Sequence, residues 1–205
     1  MKMNTFEKLA MNSPIRSAFQ RWYEAPLLEK LGGKTEGGAA LEVGCGQGVG
    51  TREILERFRA KYVYSIDLDP DMVARAQKRL AHYPKEKLQI EVGDVTQISK
   101  PDETFNACFN FAILHHVPNW QNALKEIHRV LKPGGKFYFQ DVTTHALNKW
   151  FYRVFFVHPE ENRFSAQDFA EELKKQGFSL PGGLVEKYGG DFIYGVAIKS
   201  QTKIN

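Results

Sequence analysis

Short apolar runs alternate with stretches of helical periodicity along most of this 205-residue chain. The runs that predict strands lie at 39–43, 62–66, 88–92, 105–110 and 136–142. The stretches that predict helices between them lie at 51–59, 70–81 and 118–131. Such alternation predicts a parallel sheet with helices on both faces. Two last strands, 184–187 and 192–199, are separated by a four-residue turn that favours an antiparallel hairpin.

The expected fold class is therefore α/β, a doubly wound, seven-stranded and mostly parallel sheet with an antiparallel terminal hairpin. Before the first strand, Ser13-Pro14 has the form of a helix start, and residues 4–31 predict a helical segment. Pro26 interrupts its pattern but can itself open a short helix, which Gly32-Gly33 stops. After the fifth strand, residues 150–157 are unusually aromatic. A capping box at Ser165 and Asp168 predicts a helix over 166–176.

Composition excludes several classes of protein. With 42% hydrophobic and 25% charged residues, the chain is neither disordered nor fibrous. Cys45 and Cys108 are too few for a disulfide framework and lack the spacing of a metal site, so we expect free thiols, no metal and a cytoplasmic location. We find no apolar run long enough to span a bilayer and no block of like charges typical of a nucleic-acid-binding arm.

The loop from Glu42 to Gly50, between the first strand and the first helix of the sheet, is the most informative stretch. Ligands of open α/β sheets bind at such junctions, where glycines allow close approach to the backbone. The spacing is G-x-G-x-G, with Gly44, Gly46 and Gly48, and it does not fit the G-x-G-x-x-G of a dinucleotide site. A carboxylate two residues before Gly44 disfavours a phosphate and favours a positively charged ligand.

Residues 40–48 resemble motif I of the class I S-adenosylmethionine-dependent methyltransferases, in their small-molecule branch. Three further stretches match in the expected order, at 65–72, 91–95 and 105–135. The resemblance covers about residues 38–142 and implies a Rossmann-like methyltransferase fold with S-adenosyl-L-methionine as cofactor. Asn106 and Asn110 depart from the pattern, because the family usually has a carboxylate after the Phe that opens the fourth strand.

The resemblance also implies a set of cofactor-binding residues. Asp67 takes the place of the acid that binds the ribose hydroxyls, and Asp94 that of the acid that accepts from the adenine amino group. Asp69 has a structural explanation as the cap of the following helix. The full set of expected cofactor contacts is Tyr23, Glu42, Gly44, Cys45, Gly46, Gly48, Asp67, Leu68, Met72, Asp94, Val95 and Asn110.

Methyl transfer from a sulfonium is an in-line displacement with an activated leaving group, so the protein needs to align and desolvate the reactants more than to supply a catalytic side chain. His115, His116 and His158 are the candidates for a general base. A packing or turn role for these histidines remains the alternative interpretation.

The predicted acceptor is a small organic molecule, apolar or lipid-like in view of the aromatic run at 150–157. Nucleic acid is disfavoured, since the motifs of base methyltransferases are replaced by Asn110-Phe111-Ala112-Ile113 and neither cysteine follows a proline. Contact of the aromatic run with a membrane surface or another subunit stays open, as does the oligomeric state. The alternatives are a non-catalytic S-adenosylmethionine-binding protein and, with less support, a nicotinamide-dependent reductase.

We expect one methyltransferase domain over residues 1–205. Its four parts are a helical cap at 1–35, a cofactor-binding core at 36–142, a substrate-side insertion at 143–163, and a C-terminal helix and hairpin at 164–205.

Overall fold

The computed structural model of the chain describes residues 13–150 and 161–201. Its centre is a single sheet with strand order β3-β2-β1-β4-β5-β8-β6, and β7 also pairs with β8. The strands are β1 Ala39–Val43, β2 Tyr62–Asp67, β3 Leu88–Val92, β4 Phe105–Phe111, β5 Leu131–Val142, β6 Phe178–Ser179, β7 Leu184–Lys187 and β8 Phe192–Lys199.

The first five strands are parallel, and β8 is antiparallel to β5, β6 and β7. The predicted fold class, with its terminal hairpin of β7 and β8, is confirmed. Over the described residues the sheet has eight strands instead of seven, because β6 is a two-residue strand, too short to show a periodicity. Strand β5 begins at Leu131, five residues before the predicted start, and its pairing with β4 shifts between Phe105 and Ala107.

Helices cover both faces of the sheet. They are α1 Pro14–Phe19, α2 Ala25–Gly32, α3 Val49–Glu56, α4 Pro70–Arg79, α5 Trp120–Val130, α6 Thr144–Leu147 and α7 Ala166–Lys175. One core packs α5 and α7 on the sheet through side chains such as Ile127 and Phe169. The other packs α2, α3 and α4 on the opposite face through Leu28, Ile54 and Ala76. Within residues 13–150 and 161–201, no helix has both the length and the apolar character needed to cross a bilayer.

The N-terminal helical segment shows where local signals were right and where they were incomplete. Ser13 caps α1, its hydroxyl accepting from the Arg16 N–H, as predicted. Pro26 lies in the first turn of α2, which ends at Gly32, as predicted, and α1 leads into α2 through a π-helical turn at Gln20–Glu24. There the Ala25 N–H donates to the Gln20 carbonyl five residues back, which widens the turn just before the proline ring.

Two other helix boundaries bear on the site. Asp69 caps α4, with its carboxylate accepting from the Asp71 N–H at 3.0 Å, as predicted. The predicted opening of α5 at Pro118 is wrong by two residues. Asn119 is the cap and Trp120 the first helical residue, so Pro118 remains in the loop that follows β4.

Candidate functional site

The loop between β1 and α3 owes its shape to its glycines. Gly44, Gly46 and Gly48 have φ angles of 72°, 51° and 84°, in the left-handed region that side chains disfavour. The Gly44 and Cys45 N–H groups both donate to the Ile66 carbonyl, at 2.8 and 3.0 Å. These bonds hold the loop against β2, so the ends of β1 and β2 form one rigid edge.

A cavity of about 360 Å³ opens at this edge, outside the carboxyl ends of the parallel strands. Its volume is in the range of small-molecule sites. From the predicted cofactor set it brings together Glu42, Gly44, Cys45, Gly46, Asp67, Leu68, Met72, Asp94 and Val95. Further lining residues include His116 and, outside the predictions, Arg16, Gln20, Gln47, Thr96, Phe111, Ile113, Val117 and Asn119.

Asp67, at the end of β2, is fixed by backbone donors. Its Oδ2 accepts from the Gly46 N–H at 2.8 Å and its Oδ1 from the Asp69 N–H at 2.9 Å. The first bond ties the carboxylate to the glycine loop. Since a carboxylate has about four acceptor positions, each oxygen can accept a second hydrogen bond. Asp67 is therefore held where both oxygens lie at the cavity wall.

Glu42 is a buried carboxyl group at the end of β1. Its side chain is 1% exposed, and its Oε2 accepts from the Thr51 hydroxyl and, at 2.9 Å, from the Ser65 hydroxyl. Burial raises its pKa from 4.5 to about 7, although the two hydroxyl donors act in the opposite direction. A positive ligand in the cavity favours the ionised form of such a group.

Asp94 lies at the exposed rim of the cavity, two residues after β3. Its Oδ1 accepts from both the backbone N–H and the hydroxyl of Thr96, each at 2.7 Å. The buried Met72 and Val95 and the half-exposed Leu68 form an apolar wall between Asp67 and Asp94. A flat apolar ring with polar edges matches this part of the cavity.

The sulfur of Cys45 at the cavity wall is not a nucleophile. The thiol is 4% exposed and lies 3.6 Å from the Gly46 carbonyl. Burial, with Glu42 and Asp67 nearby, raises its pKa further above the ordinary value. Thiolate formation is therefore suppressed at neutral pH.

Three predicted contacts are not among the cavity-lining residues. Gly48 serves the fold, since a Cβ there would lie 2.9 Å from Leu80 Cδ1. Tyr23 packs in an aromatic cluster, with its ring 5.0 Å from Phe19 and 6.3 Å from Tyr194. Contact of Gly48 and Tyr23 with the cofactor stays a prediction.

Asn110, the third of these residues, is fully buried and its amide is engaged in the fold. It donates to Asp141 at 2.7 Å and accepts from the Ile113 N–H at 3.1 Å. These bonds shape the loop after β4, and contact of Asn110 with the cofactor stays a prediction. The sequence pattern could not show these bonds, because the partner Asp141 is 31 residues away along the chain.

The histidines of the His115-His116 pair face different surroundings, although their rings are only 4.1 Å apart. His116 lines the cavity. His115 is buried, with Nδ1 2.6 Å from Asp141 Oδ1, and does not line it. His158 lies outside the described residues.

Asp141 is a residue that the sequence patterns did not single out. It ends β5 as a fully buried carboxylate that accepts from the Asn110 amide and from the backbone N–H groups of Leu114 and Val142, at 2.7, 2.9 and 2.8 Å. The bond to His115 adds a further partner. Its position near the carboxyl end of a predicted strand, which resembles that of Asp67, was the sequence signal that could have identified it.

Arg16 and Gln20, also missed, reach the cavity from the N-terminal helical segment. They are four residues apart and so share a helix face. Arg16 donates to the Glu24 carboxylate at 2.7 Å, and Glu24 is 1% exposed. Burial raises the pKa of Glu24, while Arg16 counteracts the shift. The helical cap therefore supplies polar groups to the cavity.

Comparisons with known proteins agree with this geometry. Residues 41–139 match a family model described as a methyltransferase domain. The chain is 35% identical over 137 residues to a sterol 24-C-methyltransferase of Aspergillus fumigatus, covering 64% of this chain and 34% of that protein. It is 34% identical over 106 residues to a fatty-acid O-methyltransferase of Mycolicibacterium smegmatis, covering 52% of this chain and 38% of that protein. The chain thus spans little more than a third of the length of these two relatives.

Among solved structures, a methyltransferase from Aquifex aeolicus described as SAM-dependent superposes with a TM-score of 0.75 at 23% identity. The match covers 97% of this chain and 100% of that one, and it establishes the fold. The cofactor that family and fold imply is S-adenosyl-L-methionine, and the glycine loop, Asp67 and Glu42 suit its backbone contacts, its diol and its charge. The chain therefore carries a methyltransferase domain over residues 41–139.

Proposed function

We propose that this protein transfers a methyl group from S-adenosyl-L-methionine to a small organic acceptor with an apolar body. The observation that carries the proposal is the pairing of two carboxyl groups on one cavity. Asp67 is held by the Gly46 N–H at the end of β2, and Glu42 is buried at the end of β1. A ligand with a diol at one point and a positive charge at another satisfies both.

Each end of the cofactor has a matching group in this arrangement. The two oxygens of Asp67 accept from the ribose hydroxyls. Leu68, Met72 and Val95 pack on the adenine ring, with Asp94 at its polar edge. Glu42 stabilises the positively charged ammonium group of the amino-acid end, and the backbone of Gly44 and Gly46 permits its close approach.

The bound cofactor supplies a methyl group on a positively charged sulfur, which is already a good leaving group. The chain's own contribution is to hold the acceptor in line with that methyl and to exclude water. His116 lines the cavity and is the imidazole placed to take a proton from an acceptor that must lose one. His115, bound to Asp141, positions this loop instead.

An apolar acceptor is supported by the part of the cavity beyond the glycine loop. Phe111, Ile113, Val117 and Pro118 line it there. The matched relatives from Aspergillus fumigatus and Mycolicibacterium smegmatis carry the names of sterol and fatty-acid methyltransferases. We infer a small molecule of this apolar character and not a nucleic acid. The buried free thiols of Cys45 and Cys108 support a reducing, cytoplasmic location.

Calorimetry of S-adenosylmethionine binding tests the cofactor assignment. We expect Asp67→Ala to weaken binding at least tenfold, because two hydrogen bonds to a charged acceptor are lost. Asp102→Ala, at a side chain that is 73% exposed, is the matched control and should bind as wild type does. Unchanged affinity in Asp67→Ala would rule out the ribose assignment.

Transfer itself is tested with S-adenosylmethionine labelled in the methyl group and a panel containing a sterol, a long-chain fatty acid and phosphoethanolamine. Label is expected in an extractable apolar product. Tight cofactor binding with no labelled product from any acceptor would instead favour a non-catalytic S-adenosylmethionine-binding protein.

A further inference from the structure

Two polar side chains are buried side by side at the carboxyl end of the sheet, without hydrogen-bond partners in the part of the chain that the structure describes. Gln140, near the end of β5, and Tyr194, near the start of β8, are direct partners in the antiparallel pairing. Each is 0% exposed. Among the described residues, neither the amide oxygen nor the amide nitrogen of Gln140 has a hydrogen-bond partner, and neither does the Tyr194 hydroxyl.

Such an arrangement is costly to the fold. Leaving a buried donor or acceptor unsatisfied costs roughly 1–3 kcal/mol. Nearby Tyr138, on the same face of β5, shows the ordinary solution, since its hydroxyl donates to the Gly32 carbonyl at 3.0 Å. The three unpartnered polar atoms on these two neighbouring side chains therefore need hydrogen-bonding partners that the described residues do not supply.

The pair lies next to the cavity. Phe111, which lines the cavity, is the register partner of Gln140 on the other side of β5. The side chains of residues that are directly paired on neighbouring strands point to the same face of the sheet. Phe111, Gln140 and Tyr194 therefore form one continuous row across β4, β5 and β8. The ring of Tyr23 lies against Tyr194 from the helical segment, in which Arg16 and Gln20 reach the cavity.

The chemistry of Gln140, Tyr194 and the side chains around them indicates which group of a ligand this pair would bind. Phe109 and Phe111 from β4 make the neighbouring surface aromatic. Burial, aided by Glu24, raises the pKa of the Tyr194 hydroxyl, which therefore stays neutral, and the Gln140 amide has no charge. A neutral amide and a neutral hydroxyl can each donate and accept, but they do not compensate a charge.

We propose that Gln140 and Tyr194 form the polar end of the acceptor subsite and bind a neutral hydroxyl or carbonyl group of an otherwise apolar acceptor. The inference rests on the proposed function and names the chemistry by which the acceptor is selected. Both side chains are covered, with the Tyr23 ring 6.3 Å from that of Tyr194, so binding of an acceptor here requires displacement of the covering side chains. Their role is recognition, and the reacting atom lies elsewhere on the acceptor.

The test compares phenol with toluene, which share a ring and differ in the hydroxyl. Binding of each to protein saturated with S-adenosylmethionine is measured by ligand-observed NMR titration, for wild type, Gln140→Leu and Tyr194→Phe. We expect the ratio of phenol to toluene affinity to fall at least fivefold in each variant. A hydrogen-bonding site rejects an analogue that lacks the polar group, and the variants remove that discrimination.

Tyr138→Phe is the matched control, because it removes a hydroxyl from the same face that already has a partner. Its affinity ratio should equal that of wild type. Tyr194→Phe deletes a single unpaired oxygen, so it should fold at least as stably as wild type even if Gln140→Leu does not. A ratio within twofold of wild type in Tyr194→Phe, or no phenol binding to wild type, overturns the proposal.

Cofactor calorimetry on the same samples separates this inference from the proposed function. Neither Gln140 nor Tyr194 is a cavity-lining residue, so S-adenosylmethionine affinity should be unchanged in both variants. Failure of wild type to bind S-adenosylmethionine contradicts the proposed function, whereas an unchanged phenol ratio with normal cofactor binding contradicts only the subsite.

Discussion

Single residues in the glycine loop have separable roles, although the sequence motif presents them as equivalent. A Cβ on Gly44 would lie 2.3 Å from Ile113 Cγ2, so this position allows the loop to pack against the segment after β4. A Cβ on Gly46 would meet no protein atom within 4 Å, and Gly46 lines the cavity. Gly44 thus serves folding, and Gly46 keeps space open for a ligand.

This difference predicts opposite phenotypes for two alanine variants. Gly44→Ala should lower the free energy of unfolding by about 2–4 kcal/mol through overpacking and a strained φ. Gly46→Ala should cost only about 1 kcal/mol of backbone strain but weaken S-adenosylmethionine binding at least tenfold. Urea unfolding and calorimetry measure the two effects. Equal stability losses in both variants would contradict the assignment.

The buried carboxyl of Glu42 predicts a pH dependence of cofactor binding. Its pKa of about 7 means that the group is largely protonated at acidic pH, and a cationic ligand binds the ionised form more tightly. Affinity should therefore rise on the order of tenfold from about pH 5.5 to 7, with proton release on binding. Calorimetry in buffers of different ionisation enthalpy measures both quantities.

Glu42→Gln is the control for this pH dependence. Glutamine keeps the shape and can still accept from Thr51 and Ser65, but it cannot ionise. Binding should be weaker than in wild type and independent of pH in this range. A pH slope that persists in Glu42→Gln would assign the titration to another group.

The side chain of Asp141 joins the end of β5 to β4 and to the turn that follows β4. Asp141 at the end of β5 accepts from Asn110 on β4 and from the N–H groups of the turn that contains His115. That turn leads directly to His116 at the cavity. One carboxylate therefore sets the loop on which the acceptor side of the site depends.

Asp141→Asn should consequently destabilise the protein by about 2–4 kcal/mol, because a buried charged acceptor with several donors is replaced by a neutral amide. The comparison is Asp102→Asn, which changes an exposed carboxylate paired with Arg129 and for which we expect a loss of less than about 1 kcal/mol. Both are measured by urea unfolding. Similar losses in the two variants would mean that Asp141 is not the organising acceptor.

Element boundaries were predictable where the signal is local. The bounds of β1, β3, β7 and β8 agree with the sequence patterns, and the capping box of Ser165 and Asp168 is present. The π-helical turn at Gln20–Glu24 and the two-residue β6 were not predictable. Both depend on packing against β8, which local periodicity does not report.

For the fold as a whole, ligand-dependent stability distinguishes the proposed cofactor from the rival nicotinamide. A ligand at 100 times its Kd stabilises the native state by about 2.7 kcal/mol. S-adenosylmethionine at such a concentration should raise the Tm, and NADH at the same concentration should leave it unchanged. The physical reason is the carboxyl group of Glu42 at the glycine loop, which disfavours a pyrophosphate. A rise in Tm with NADH alone would support the reductase.

The amino-acid sequence alone determined the order of strands and helices, the glycine loop and the place of Asp67. These features depend on neighbours within a few residues, and periodicity and turn chemistry report such neighbours. Only the tertiary structure decided that Asn110 serves Asp141, that Arg16 and Gln20 reach the cavity, and that Gln140 and Tyr194 lie unpartnered together. Those relations join residues that are distant along the chain, and the packing of sheet and helical cap brings them into contact.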